Sequence, residues 1–353
     1  MKQVFGMSKT GNLSEAIRGI SNPKGLILFS SEKNFEVHVR ELEQAFPGVP
    51  SIGCIAMSHS TSLCETGVSV TAFTEGVSVA AGVLENVSVK PAAQIKRLVD
   101  DIEKVKPGRE NTVVIDLCSG NDAAVLTTVG GILRKKGVCL MGGTGAPGKI
   151  SANGVCYEDA DVYIVVKNES GRARVYKENI YKPCEEEYRF VASKTDRSKY
   201  YIGELDGKPA KKVYMDTLGI GEADIESQTF KNPFGKLVGD DVRIVSIKEV
   251  AGNGLNCFRQ VNDSDVLTLL ELKDYRQVAQ ETMEKIKADF SRISAVFAVN
   301  CLFRYILFTD NKIWDDYHKT LAGLCNSYCG FVGYGEHIND QFVNQSMTCV
   351  VFE

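Results

Sequence analysis

The sequence predicts an α/β protein, mixed α+β in detail, in which repeated β-α-β-β units form mixed sheets covered by helices and divide into two domains. Three observations lead there. The chain has 353 residues, 44% hydrophobic and 24% charged, with 32 Gly and 9 Pro, a composition that supports about two packed domains. One order of elements occurs three times: a short apolar run, a stretch of helical periodicity, a second run ending in glycine, and a further strand-length run. The apolar runs are strand-length, far from the roughly 20 residues a membrane helix needs, which predicts no membrane insertion.

The first repeat opens with residues 26–29 (LILF) and continues into a helix with Phe35, Val39, Leu42 and Phe46 on one face. After a turn at Pro47 and Gly48, a short strand ends at Gly53, and residues 67–73 (GVSVTAF) alternate as a further strand. A helix keyed by Ile95, Leu98, Ile102 and Val105 precedes the second repeat. That repeat reads 113–117 (VVIDL), a helix keyed by Val125, Val129 and Ile132, a strand 138–141 ending in Gly142 and Gly143, and 162–166 (VYIVV). A helix keyed by Val278, Thr282, Ile286 and Phe290 precedes the third: 295–299 (AVFAV), a helix keyed by Trp314, Tyr317, Leu321 and Leu324, a strand 330–333, and a final strand 347–352. From first strand to glycine the spacing is 27 residues (Leu26 to Gly53), 29 (Val113 to Gly142) and about 37 (Val296 to Gly333). A strand, crossover helix and strand make a parallel unit, and the strand that follows can pair antiparallel beside it.

Between the second and third repeats the texture changes. Residues 177–201 are highly charged and contain Pro183, which reads as a solvated connector and places a domain boundary at 185–195. Residues 204–210 read as a turn feeding a short helix that ends at Gly219.

With 41 basic and 45 acidic residues the net charge is −4, so nothing draws the chain to nucleic acid or an anionic membrane. Residues 1–19 lack the apolar centre of a signal peptide, so none is expected, and 11 scattered Cys suit a reducing compartment; the expected location is cytoplasmic and the thiols are expected to be buried and inert. The segment 143–150 (GTGAPGKI) approaches a phosphate-binding loop, but Ile150 cannot ligate magnesium, Pro147 lacks an N–H, and no helical face follows. Cys54, His59, Cys64, Cys325 and Cys329 form no set with the four ligands of a structural zinc site. Of the four histidines, His38 and His318 are expected to face solvent, whereas His59 and His337 follow strand-end glycines, where ligands of layered α/β folds bind.

Several short motifs follow one another along the chain: residues 52–54 (IGC), 67–70 (GVSV), 141–144 (MGGT), 204–210 (ELDGKPA), 232–235 (NPFG) with Val238, Gly239 and Asp240, 301–304 (CLFR) after a strand, 330–336 (GFVGYGE) and 344–348 (NQSMT). From about residue 20 to 353 this order resembles the FIST family of intracellular sensory modules. Val343 and Ser346 depart from the His and Thr of many members, and residues 55–57 replace a polar run. The resemblance implies an N-terminal FIST domain over 1–190, with two repeats, and a C-terminal FIST domain over 191–353, with the third repeat and an inserted β-rich segment. It further implies a non-enzymatic sensor of an amino acid or similar metabolite. The output would act in trans through a separate signalling protein such as a histidine kinase.

The expected pocket lies at the strand ends. Arg304 and Glu336 follow the first and second strands of one repeat and would hold the carboxylate and ammonium of a zwitterion. Gly335, Tyr334, Gly53, Cys54, Gly142, Gly143 and Asn344 complete the expected site, the glycines through φ > 0 or close backbone approach. A structural Arg–Glu salt bridge is the plainer reading of the charged pair. No cofactor or metal is expected; the alternatives are a haem-based nitric oxide sensor using His59 or His337, and a thiol enzyme using Cys54 or Cys301.

Overall fold

The alternating runs become strands and the 3.6-period stretches become helices in a computed structural model that describes residues 1–120, 122–239 and 241–353; Asp240 of the 238–240 motif lies outside the described residues. The first repeat comprises β1 (Lys2–Ser8), β2 (Gly25–Ser30), α1 (Phe35–Ala45), β3 (Ser51–Ile55), β4 (Ser58–His59), β5 (Leu63–Cys64) and β6 (Val68–Glu75). The second comprises β7 (Val77–Glu85), α2 (Ile95–Lys104), β8 (Thr112–Cys118), α3 (Asp122–Lys136), β9 (Cys139–Thr144), β10 (Ile150–Ala152), β11 (Val155–Tyr157) and β12 (Ala160–Asn168). The third comprises β13 (Ala173–Asn179), α4 (Tyr275–Asp289), β14 (Ala295–Cys301), α5 (Leu302–Asp310), α6 (Trp314–Ala322), β15 (Tyr328–Gly333), β16 (Glu336–Ile338), β17 (Gln341–Val343) and β18 (Ser346–Phe352). Two helices, α5 and α6, stand where one is expected, which accounts for the longer third spacing.

Each repeat builds one six-stranded sheet, in the orders β1-β6-β2-β3-β10-β11, β7-β12-β8-β9-β16-β17 and β13-β18-β14-β15-β4-β5. In all three, the first and second strands are parallel and the last is antiparallel to the first, as the pattern predicts. What the pattern does not reveal is the origin of the last two strands. The β4–β5 hairpin of repeat 1 completes the sheet of repeat 3, that of repeat 2 (β10–β11) completes the sheet of repeat 1, and that of repeat 3 (β16–β17) completes the sheet of repeat 2. The inner faces share one core, where Phe29 stacks on Phe331 at 4.7 Å and Ile115, Ile164, Phe297 and Phe352 pack around them.

This exchange explains why no single cut divides the chain. One compact unit is Met1–Glu178 with Ala279–Phe342 and Ser346–Glu353; the other is Asn179–Val278 with Val343–Gln345. A boundary near 190 separates the third repeat from the two whose sheets and core it shares. The second unit is built on a nine-stranded antiparallel sheet with a core around Tyr214, Phe234 and Leu267. Its helix Ala210–Leu218 ends at Gly219 in the left-handed region (φ 64°), as expected of a C-terminal glycine. Gln345 is buried there, accepting from Ser246 Oγ at 2.8 Å and donating to the Thr229 carbonyl at 3.0 Å.

No helix among the described residues is long and apolar enough to cross a membrane.

Candidate functional site

The sheet registers make three positions equivalent. Gly53 lies between Leu28 and Ser151, Gly142 between Asp116 and His337, and Gly330 between Ala298 and His59. A Cβ at these glycines would stand 2.9, 2.1 and 1.7 Å from the carbonyl oxygens of Leu28, Asp116 and Ala298. Close backbone approach, not positive φ, therefore demands glycine here; none of Gly53, Gly142, Gly143 and Gly335 is in the left-handed region. In repeat 3 the equivalent residue is Gly330, upstream of the expected Gly333 and Gly335.

The strand ends of repeat 3 are closed by the protein itself. Arg304, in the first turn of α5, is fully buried: its guanidinium is bonded to the equally buried Glu178 and stacks on Phe308 and Tyr317 at 4.7 and 4.8 Å. Tyr317 OH donates to the same Glu178 oxygen at 2.7 Å. Glu178 falls inside the charged stretch that reads as a solvated connector, yet it is the buried counter-ion of the expected ligand cation. Glu336 has other partners. The backbone N–H and hydroxyl of Ser346 both donate to its Oε2 at 3.3 Å, the Cys301 thiol also bonds to it, and burial pushes its carboxyl up to about 8. The expected zwitterion pair is thus two structural groups with separate partners, and the salt bridge of the plainer reading forms with Glu178 rather than Glu336. Tyr334 is half-exposed, and Asn344 belongs to the other compact unit.

Both loop histidines, and both expected surface histidines, are buried. His337 Nδ1 is 2.5 Å from Asp116 Oδ2. His59 packs its ring 4.3 Å from that of His318 and lies 3.3 Å from Asn300 Nδ2. Burial pushes His59 down to about 3 and holds His318 well below its usual value, with His59 adding to the effect on His318. His38 lies 2.7 Å from Ser30 Oγ and 3.0 Å from the Gly11 carbonyl. The helical pattern puts His38 and His318 beside polar residues, but each sits on the stripe that meets the sheet. A haem would need a histidine facing a large cavity, whereas His59 and His337 are enclosed by protein side chains; these residues do not fit the group. Among the described residues no cluster of His, Cys, Asp and Glu is placed to hold a metal. Cys54 is buried and its thiol is pushed up, opposite to the shift that activates a nucleophile.

At repeat 1 the strand ends are open. A cleft of about 440 Å³ lies where β2 gives way to α1, with Phe35 and Ile55 as its apolar lining and Gly148 at one edge. Its charged groups are Lys149, Glu32, Glu36 and Glu158. Lys149 Nζ lies 2.6 Å from Glu36 and 3.7 Å from Glu158; this pairing holds Glu36 below and Lys149 above their ordinary values. Of the expected strand-end residues of repeat 1, neither Gly53 nor Cys54 lines this cleft; their neighbour Ile55, at the end of β3, does. Lys149 is the lysine of the near-miss phosphate-loop motif, so the sequence marks it; Glu32, Glu36 and Glu158 carry no signal that separates them from other surface acids.

The description "FIST N domain" matches residues 25–208, and "FIST C domain" matches 210–339. Among curated proteins none matches the chain significantly.

Proposed function

The chain belongs to the FIST family of sensory and signal-transduction domains, and from that premise we propose that it is a non-enzymatic cytoplasmic sensor that takes a small zwitterionic metabolite, such as an amino acid, in the cleft of repeat 1. The observation that carries this reading is the pairing, in one cleft over an apolar lining, of an ammonium group with three carboxylates. Lys149 suits a ligand carboxylate, Glu32 and Glu158 suit its ammonium, and Phe35 and Ile55 suit an aliphatic side chain. Signalling then passes to a separate protein, such as a histidine kinase.

Isothermal calorimetry with a panel of amino acids tests the reading on wild type, Lys149→Met and Glu32→Gln. One amino acid is expected to bind wild type and to lose at least about tenfold in affinity in either variant, the loss typical of a charge-assisted hydrogen bond. Binding unchanged in both variants would remove the ligand from this cleft, and no binding by any member of the panel would overturn the ligand class.

A further inference from the structure

The three exchanged hairpins are equivalent in the repeat but differently fastened. On β16–β17, His337 meets Asp116 and Glu336 meets Ser346, all of them buried. On β4–β5, Ser58 accepts from the buried Ser69 at 2.6 Å, Ser60 Oγ donates to the Tyr328 carbonyl at 2.7 Å, and His59 is enclosed among rings. The β10–β11 hairpin differs. Ile150 and Ala152 enter the core, Cys156 and Tyr157 are half-buried against apolar clusters, and Asn153 at the turn accepts from Ser51 N–H at 3.0 Å and donates to the Ala81 carbonyl at 3.2 Å, but Val155 is exposed and the charged fastening beside the hairpin is the solvent-facing Lys149–Glu36 pair.

The position of that pair matters. Lys149 immediately precedes β10 and Glu158 immediately follows β11, so both ends of the hairpin are walls of the cleft. The hairpin also runs along α1, with Glu36 tied to Lys149 at one end and Glu43 packed under Gly154 at its turn. The loop that leads into it is stitched to two strand ends, Gly145 N–H donating to the Cys118 carbonyl at 3.1 Å and Ala146 N–H to the Ile55 carbonyl at 2.8 Å.

We infer that the β10–β11 hairpin is the strap by which occupancy of the cleft is read. A ligand carboxylate that draws Lys149 from Glu36 alters the hold on the hairpin and, through residues 144–146, reaches the strand ends of repeat 2. The inference rests on the ligand reading above, but the first arm of its test does not depend on that reading. Hydrogen exchange followed by mass spectrometry compares the full-length wild type with Lys149→Met and, as a second release of the same pair, Glu36→Gln. In both variants the amides of residues 150–157 are expected to exchange several-fold faster, while those of 336–343 keep their wild-type rates. Unchanged exchange at 150–157 in both variants overturns the strap.

In the second arm, wild type is mixed with each amino acid of the panel in turn. Binding seen by calorimetry with no change at 150–157 overturns the strap and leaves the sensor reading standing. If nothing binds, the ligand class proposed above falls, and with it the reading of the hairpin as a strap that responds to an amino acid, whatever the two variants show.

Discussion

Glu336→Gln is expected to gain stability relative to wild type as pH rises and to stabilise the larger compact unit at alkaline pH. The wild-type carboxyl titrates near 8 when folded and near its ordinary 4.5 when unfolded. At neutral pH the folded chain therefore holds a proton that the unfolded chain has released. The contribution of this group to stability is fully present below about 4.5, is lost as pH rises towards 8, and changes no further above that. At about 1.4 kcal/mol per pH unit, the interval between those two values corresponds to roughly 4–5 kcal/mol of stability lost between acid and alkaline limits.

Glutamine cannot ionise, and its carbonyl can still accept from Ser346. Its amide would sit where Glu336 Oε1 has no hydrogen-bond partner, an unsatisfied donor that costs about 1–3 kcal/mol at every pH. The net expectation is a variant close to or slightly below wild type at pH 5 and roughly 1–3 kcal/mol more stable at pH 8.5. Urea denaturation followed by the fluorescence of the only tryptophan, Trp314, reports on this unit, since Trp314 is buried within it. Parallel pH profiles for the two proteins would refute the argument.

Arg304→Met strands the buried carboxylate of Glu178 and should destabilise by about 3–5 kcal/mol in the same denaturation assay, with Arg304→Met/Glu178→Gln recovering much of the loss. Gly142→Ala, whose Cβ would meet the Asp116 carbonyl oxygen at 2.1 Å, should prevent folding or lower the midpoint severely, whereas Gly131→Ala on α3, where nothing lies within 4 Å, should raise stability by about 0.5–1 kcal/mol. Timed alkylation at neutral pH should modify the half-buried Cys139, Cys156, Cys184 and Cys325 well before the fully buried Cys54, Cys329 and Cys349, since burial pushes all seven thiols upward but leaves only the first four within reach of reagent; early labelling of Cys54 would revive a thiol chemistry.

Local pattern reveals most of the elements because strand and helix periods are properties of neighbouring residues. Phe35, Val39 and Leu42 mark α1 and are buried; Val296, Val299 and the apolar run 347–352 mark a parallel strand and its antiparallel neighbour. The hairpins escape notice for the opposite reason. Residues 58–59 and 150–152 are too short to show a period, and their partners lie on another repeat. The candidate site divides along the same line. Arg304 and Glu336 stand out as strand-end charges, but their partners, Glu178 and Ser346, come from β13 and the start of β18, contacts that spacing cannot reveal. Lys149 is marked by its glycines, while the acids around it are brought together only by the fold.

The cyclic exchange of hairpins also bears on how the chain reaches its native state. When the first two repeats have left the ribosome, β4–β5 has no sheet to join, the outer side of β9 is an unpaired edge, and the shared core lacks Phe297, Phe331 and Phe352. Roughly half the chain must then be made before those surfaces are covered. Gln3, in the first strand, donates to the carbonyls of Val296 and Ser327, so the earliest residues await some of the last. Such non-local closure implies slow folding and a prolonged interval with exposed strand edges, during which the nascent chain is open to aggregation and to capture by chaperones.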